Sequence, residues 1–420
     1  MNILIKQATI IDPNSDFNQT QKDILIEGGK ISKIADKIEA DSAVKIIRYE
    51  NLHVSPGLFD MHASFREPGH EHQEDLISGI AAAVAGGFTG IALMPDTSPP
   101  IDNKSAIEFI LSRTKGSPVN VFPCGTVSHK LEGKELAEMY DMHTAGAVAF
   151  TDHKSSISTS GLLYRAQLYA SNFGGLVMHF AQDESITPAW QMHEGIMSTS
   201  LGLKGLPPIG ETIRIKRDLS VTKHNEGSLH FSTLSAAESI NLIKEAKQVG
   251  LDVSCDIAAH HLALTDENLH DFDSNYKVNP PLRGEEDRLA IIEGLRTGVI
   301  DAICSDHQPQ DVENKRCEFE YAAYGIIGLQ TAFPIALSVL QGVLSLDEII
   351  LKMAINPRTI LKLDIPIINE GFEANLVLYN PSEVWVFQAS DIKSKSNNSP
   401  FIGKKFTGRV KGIINKNQLV

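Results

Sequence analysis

Cysteine is scarce: the 420 residues hold only Cys124, Cys255, Cys304 and Cys317, no two of them at C-x-x-C spacing. That pattern fits reduced thiols in a cytoplasm better than a disulfide frame or a zinc knot. Long hydrophobic runs are missing, so no segment reads as a membrane span. A net charge of −14 disfavours nucleic acid and anionic membranes as main partners. No Gly-x-Gly-x-x-Gly follows any apolar run, which removes the usual sign of a dinucleotide site. The opening MNILIKQATIIDPN lacks the charged, apolar and small-residue succession of a signal peptide and reads as a first strand ending in a turn. A further absence concerns chemistry. In VSPGLFDMHASF an apolar run ends in Asp-x-His-x-Ser, so His62 stands without the second imidazole that would complete a metal-binding pair at position 64.

The chain is long enough for one large barrel-type domain and a smaller one. Short strand-like pieces occur at both ends: MNILIKQATI, DILIEGGKISKIA and AVKIIRYE, then ANLVLYN, WVFQ and GRVKGIIN. Between them, strands alternate with helices. In 235–249 Ile240, Ile243, Ala246 and Val249 recur at helical spacing, Ser235 and Glu238 form a capping-box pair, and Gly250 ends the helix before the strand LDVSCDIA. Ser345 and Glu348 cap SLDEIILKMAI in the same way. GGLVMHFAQD and GVIDAICSDH read as further strands. The expected architecture is α/β: a (β/α)8 TIM-type barrel over 54–365, with a small β-sandwich subdomain formed by both chain termini, 1–53 and 366–420. An open doubly wound sheet is the alternative.

Five strand-like runs stop at a potential ligand: His62, Asp152 with His153, His179, His230 and Asp306. In a barrel those places gather at the carboxyl end of the sheet, where chemistry sits. REPG, GGFT, NPPLR and SDH occur in that order, with SPGLFDMH, AGAVAFTD, YGIIGLQTA and SKSNNSPFIGKKFTGRV. In these motifs, over nearly its whole length, the chain resembles the dihydroorotases of the amidohydrolase superfamily, the type found alongside multifunctional pyrimidine-synthesis complexes.

The resemblance implies a (β/α)8 barrel holding zinc and interconverting dihydroorotate and carbamoyl-aspartate. It implies metal ligands at His62, Asp152, His179, His230 and Asp306, with Asp306 also moving the proton. Arg66, Asn279, Tyr324 and Gly325 fall where the family holds the substrate, and a guanidinium suits a carboxylate. The bridging ligand is expected at Asp152 from its spacing to His179, with His153 and a carboxylated Lys154 as alternatives. Three positions depart from the pattern: Ser64 for a ligand His, Asp96 for a substrate-facing Asn, and Gln310 for a His that meets the substrate carboxylate. The expectation is therefore one zinc, held by His179, His230 and Asp152, or none, rather than two.

His70 and His72 read as an exposed loop pair rather than replacement ligands. His260 and His261 are either packed core histidines or supports for the ligands. Asn279 and Arg283 either order the proline turn or, for Asn279, touch substrate. The principal functional expectation is a dihydroorotase-type cyclic amidohydrolase. The alternatives are a non-catalytic relative serving aspartate transcarbamoylase as a structural partner, and an enzyme for a neutral imide or hydantoin. A homodimer is implied by the resemblance.

Overall fold

The computed structural model describes residues 2–39 and 44–420. Its central feature is a ladder of parallel strands that returns to its start. Leu58–Ala63 pairs with Phe88–Leu93, and that with Asn120–Pro123. Gly125 bridges Phe150, which bridges Val177, so a single residue serves as the fourth stave. Val177–His179 pairs with Leu229–Phe231, then come Val253–Ala258 and Ala302–Cys304. Finally His307 bridges back to Ala63. The eight staves form a closed (β/α)8 barrel, and a helix follows each: Leu76–Ala85, Lys104–Arg113, Met139–Ala145, Ser160–Ser171, Ile209–Asn225, Ala237–Gln248, Glu285–Arg296 and Leu329–Val339.

The staves read as apolar runs because parallel strands are covered on both faces. All six residues of Leu58–Ala63 are buried, Asp60 and His62 included. Asp60 explains part of the closure: its carboxylate accepts hydrogen bonds from the Ser305 backbone N–H at 2.6 Å and from the Ser305 hydroxyl at 2.5 Å, tying first stave to last. Burial pushes the Asp60 carboxyl up to about 7, against the pull of the two Ser305 bonds. A carboxyl raised by folding contributes stability below its unfolded value near 3.8, and that contribution is lost as pH climbs through 7. Asp60→Asn keeps both bonds, its oxygen accepting from the N–H and its amide donating to the hydroxyl oxygen. The variant should gain roughly 2 kcal/mol over the wild type between pH 5 and pH 7. Unfolding curves across that range test it; a constant difference would refute the assignment.

Both chain ends meet in one sheet beside the barrel. His53–Pro56 runs antiparallel to Leu376–Val386, which pairs in turn with Lys405–Asn415, while Asn2–Ile10 carries Gln21–Glu27 and Lys30–Ala35. Ile3, Ile5, Ile24, Val54 and Leu378 form its buried layer. Of the sequence-predicted strand over 43–50, residue 43 lies outside the described residues and the strand occupies Lys45–Ile47. At the seam Arg358, 3% exposed, donates to the carbonyls of Gly57 and Ala354 and to the Thr89 hydroxyl, with its guanidinium 5.2 Å from the Phe59 ring centre.

Two helix ends differ in outcome. Ser345 and Glu348 do form the capping box. Ser235 and Glu238 do not, and that expectation is corrected: the Ser235 hydroxyl and N–H both bind Glu211, and the helix starts after Ala236 without a side-chain cap. A buried carboxylate on the neighbouring helix outcompetes a local partner that reaches solvent. The helix predicted over 345–355 also changes character, turning π-helical over Leu351–Ile355 before Asn356–Ile360. Pro357 has no N–H to continue the α ladder, which favours such a turn.

Candidate active site

His62, Asp96, Asp152, His179, His230 and Asp306 lie within a stave's last residues or a few residues beyond it, whereas Asn279, Tyr324 and Gly325 come from the long loops that follow the last two staves. Four of the residues that follow staves hold non-glycine positive φ: Arg66 (61°), His153 (51°), Thr233 (50°) and Asp306 (46°). Such conformations are sparsely populated and persist only where surrounding contacts fix them. The rim is thus set by tertiary packing rather than by local preference. A cavity of about 430 Å³ lined by Asn120, Phe122 and Arg358 opens at the opposite, amino-terminal end of the barrel, away from the end that supports chemistry.

At the carboxyl end His62, His230 and Asp256 converge, all buried, with one ligand atom from each within 4.8 Å of the others. His62 Nε2 lies 3.0 Å and His230 Nε2 2.9 Å from Asp256 Oδ2. Neither His62 nitrogen makes a well-directed hydrogen bond. Burial opposes charge on His62, but the neighbouring Asp256 carboxylate outweighs it and raises the imidazole above its ordinary value. Burial likewise opposes charge on Asp256, and the two imidazoles hold its carboxyl far below the usual range. Asp256 was not singled out in the sequence; the one signal was an acid inside the buried strand VSCDIA.

The other expected ligands have partners of their own. His179 Nδ1 lies 2.6 Å from Asp218 Oδ2, and its Nε2 accepts the Ile157 backbone N–H at 2.9 Å. Asp152 accepts the N–H groups of Val127 and Ser128 at 2.9 Å each and the Ser128 hydroxyl, anchoring that loop. Lys154 places its Nζ 3.0 Å from Asp306 Oδ1, 3.2 Å from Thr233 Oγ1 and 4.7 Å from the Phe180 ring centre. Burial alone would lift the Asp306 carboxyl, yet Lys154 and nearby imidazoles draw it down to about 2. Gln308 Nε2 donates to the same carboxylate at 3.0 Å. Among the described residues His62, His230 and Asp256 are thus placed to hold a metal ion: both His62 nitrogens are unpartnered, and His230 Nε2 faces the same Asp256 oxygen. His179 and Asp152 are hydrogen-bonded to other segments, and the Lys154 side chain lies on Asp306.

Two of the departures from the family pattern, Ser64 and Asp96, form a second cluster. Asp96 Oδ2 accepts from Arg66 Nη1 at 2.6 Å and from the Ser64 hydroxyl at 2.9 Å, with His153 Nε2 at 3.5 Å. Burial disfavours its charge, but Arg66 and His153 overcome this and keep the Asp96 carboxyl below the usual range. His153 itself is brought down to about 4 by burial, despite Asp96. Arg66 Nε, Asp96 Oδ1 and Asn279 Oδ1 are buried without partners. Gln310 donates to the Tyr324 carbonyl at 3.0 Å, and the Tyr324 hydroxyl donates to the Trp190 carbonyl. Gly325, at φ 133°, has no room for a side chain: a Cβ there would lie 2.7 Å from the Gln308 carbonyl. Asn398, from the SKSNNSP segment, donates to the carbonyls of Gln308 and Gly325, pinning this rim.

His260 and His261 stack with ring centres 4.5 Å apart, and burial lowers them to about 4 and about 3. Arg283 is structural, donating to Ser235 and to the Leu206 carbonyl. His70 and His72 lie in the loop, with His72 3.2 Å from Asp311.

Comparison with known proteins bears on the family. A family profile described as dihydro-orotase-like matches residues 52–239. The dihydroorotase of Syntrophus aciditrophicus (strain SB) is 40% identical over 413 residues, covering 98% of this chain and 97% of that protein. The dihydroorotase of Geobacter metallireducens is 39% identical over 410 residues, covering 97% and 96%. Among solved structures, the L-hydantoinase (dihydropyrimidinase) from Arthrobacter aurescens superposes with a TM-score of 0.84 at 24% identity, covering 100% of this chain and 95% of that one, and shares the fold. Identity at this level, sustained over nearly all of both chains, means that the chain belongs to the dihydroorotase family.

Proposed function

We propose that the chain opens and closes a cyclic amide in the manner of a dihydroorotase, interconverting a six-membered ring of the dihydroorotate type and its carbamoyl amino acid, with a single zinc ion. The observation that carries this reading is the buried Asp306 carboxylate at a stave end beside the His62, His230 and Asp256 group, in a chain of this family. When bound, the zinc ion would polarise the ring carbonyl and bring water toward hydroxide near neutral pH. Asp306 takes a proton as water adds to the carbonyl carbon and returns it to the ring nitrogen as the C–N bond breaks. Lys154 keeps that carboxylate ionised. Asn279 and the Tyr324 to Gly325 backbone orient the ring, and Gln310 holds that backbone in place.

The purified protein should hold about one zinc per chain, and His62→Ala or His230→Ala should lose it. Ring opening by the zinc-loaded protein, followed with dihydroorotate and other cyclic amides, should be absent in both variants. A wild-type protein that opens no cyclic amide when zinc-loaded would overturn the proposal and turn attention to a structural role beside another pyrimidine enzyme such as aspartate transcarbamoylase.

A further inference from the structure

Two fixed cations reach this site, and each is matched by a buried acid. Lys154 lies on Asp306 and Arg66 on Asp96. Asp96 and Ser64 together hold Arg66 in place: the hydroxyl and the guanidinium converge on the same oxygen, Oδ2, at 2.9 and 2.6 Å. The guanidinium charge is thus compensated from within the chain. An incoming carboxylate directed at Arg66 would meet Asp96 at the same corner, and like charges in a buried place repel strongly. Gln310 adds no charge, and its amide is already bound to the Tyr324 carbonyl.

The atoms left without partners have a different preference. Asp96 Oδ1 and Asn279 Oδ1 are acceptors, buried and unfilled, and Arg66 Nε is a donor. The acceptor and the donor left on the Asp96–Arg66 pair suit a ring N–H and a ring carbonyl, with Asn279 Oδ1 as a further acceptor where the ring-hydrolysis reading places it, and buried polar atoms of this kind select for ligands that satisfy them.

We propose, on the basis of the ring-hydrolysis reading above, that Asp96 sets specificity by occupying Arg66, so that the preferred substrate is an uncharged cyclic ureide with N–H donors rather than a ring bearing a carboxylate. No covalent step changes; only the group recognised beside the scissile amide differs. Asp96 is a specificity residue, and Ser64 and His153 hold it in register.

The test compares kcat/KM for dihydroorotate with that for dihydrouracil, the same ring without the carboxylate, and for hydantoin, using zinc-loaded wild type and Asp96→Asn. The wild type should favour an uncharged ring by at least about 10-fold, and the variant should move the ratio toward dihydroorotate by about 10-fold or more. Because Asp96→Asn leaves Arg66 without its counter-ion and could disturb folding, a second readout uses wild type alone: dihydroorotate should be a poor competitive inhibitor of uncharged-ring turnover. Preference of the wild type for dihydroorotate, strong inhibition by it, or an unchanged ratio in a folded variant overturns the inference while leaving ring hydrolysis standing. Failure to open any ring removes both.

Discussion

Asp306→Asn should lower ring-opening turnover by about 10³-fold while leaving zinc content near the wild-type value. The size follows from the removal of the Asp306 carboxylate, which, among the described residues, has the side chains of Lys154 and Gln308 as its partners and no backbone donor. Retention of zinc follows from the convergence of His62, His230 and Asp256, a group that does not include Asp306. The measurement pairs kcat with metal analysis on the same sample. Parallel loss of zinc and activity would mean that Asp306 is a ligand first, and activity within a few-fold of wild type would remove it from proton transfer. Asn preserves the size and the Gln308 contact. The Lys154 ammonium, 15% exposed, keeps Thr233 and Phe180 as partners, so the variant should lose some stability yet remain folded.

The barrel could be read in the sequence because its staves are apolar runs that stop at a polar residue, and because the helices between them carry 3.6-residue periodicity. The common β subdomain was visible for the same reason, from alternating strands at both ends. What the sequence hid depends on contacts between distant segments. Asp256 became part of the site only when the barrel brought it to His62 and His230. Asp152 has the right residue type and spacing, but the N–H groups of Val127 and Ser128 claim its oxygens, and nothing local encodes that. His179 stands at a stave end as the ligand reading requires, and its contacts with Asp218 and the Ile157 N–H come from two other segments that no local pattern announces. The positive φ values of Arg66 and Thr233 belong to residue types that do not favour that conformation, and those of His153 and Asp306 to types that adopt it only in particular settings, so none could be read locally. Conversely, the oddities at Ser64 and Asp96 were legible as single departures, and only the structure reveals that they compensate each other through one carboxylate oxygen.

Lys154→Met should destabilise the metal-free protein by about 3 kcal/mol. Lys154 and Asp306 form a buried pair with side-chain exposures of 15% and 4%, and removal of the cation leaves a carboxylate in a low-dielectric place with the Gln308 amide as its remaining donor. Without the ammonium the Asp306 carboxyl rises from about 2, so the acid limb of the rate profile should move to higher pH. The substitution also bears on metal count. Two cations about 4 Å apart repel by roughly 4 kcal/mol per pair of unit charges in a protein-like dielectric, and a divalent ion doubles this. The expected result is that the ammonium disfavours a second zinc at Asp306 whether or not the missing imidazole is restored. Ser64→His alone should still hold about one zinc per chain, whereas Ser64→His combined with Lys154→Met should approach two and recover part of the lost melting temperature on zinc addition. Two zinc ions in the single Ser64→His variant, or an unchanged melting temperature in metal-free Lys154→Met, would show that the lysine is a bystander. The predicted pattern would make it the cation that this chain carries in place of a second metal.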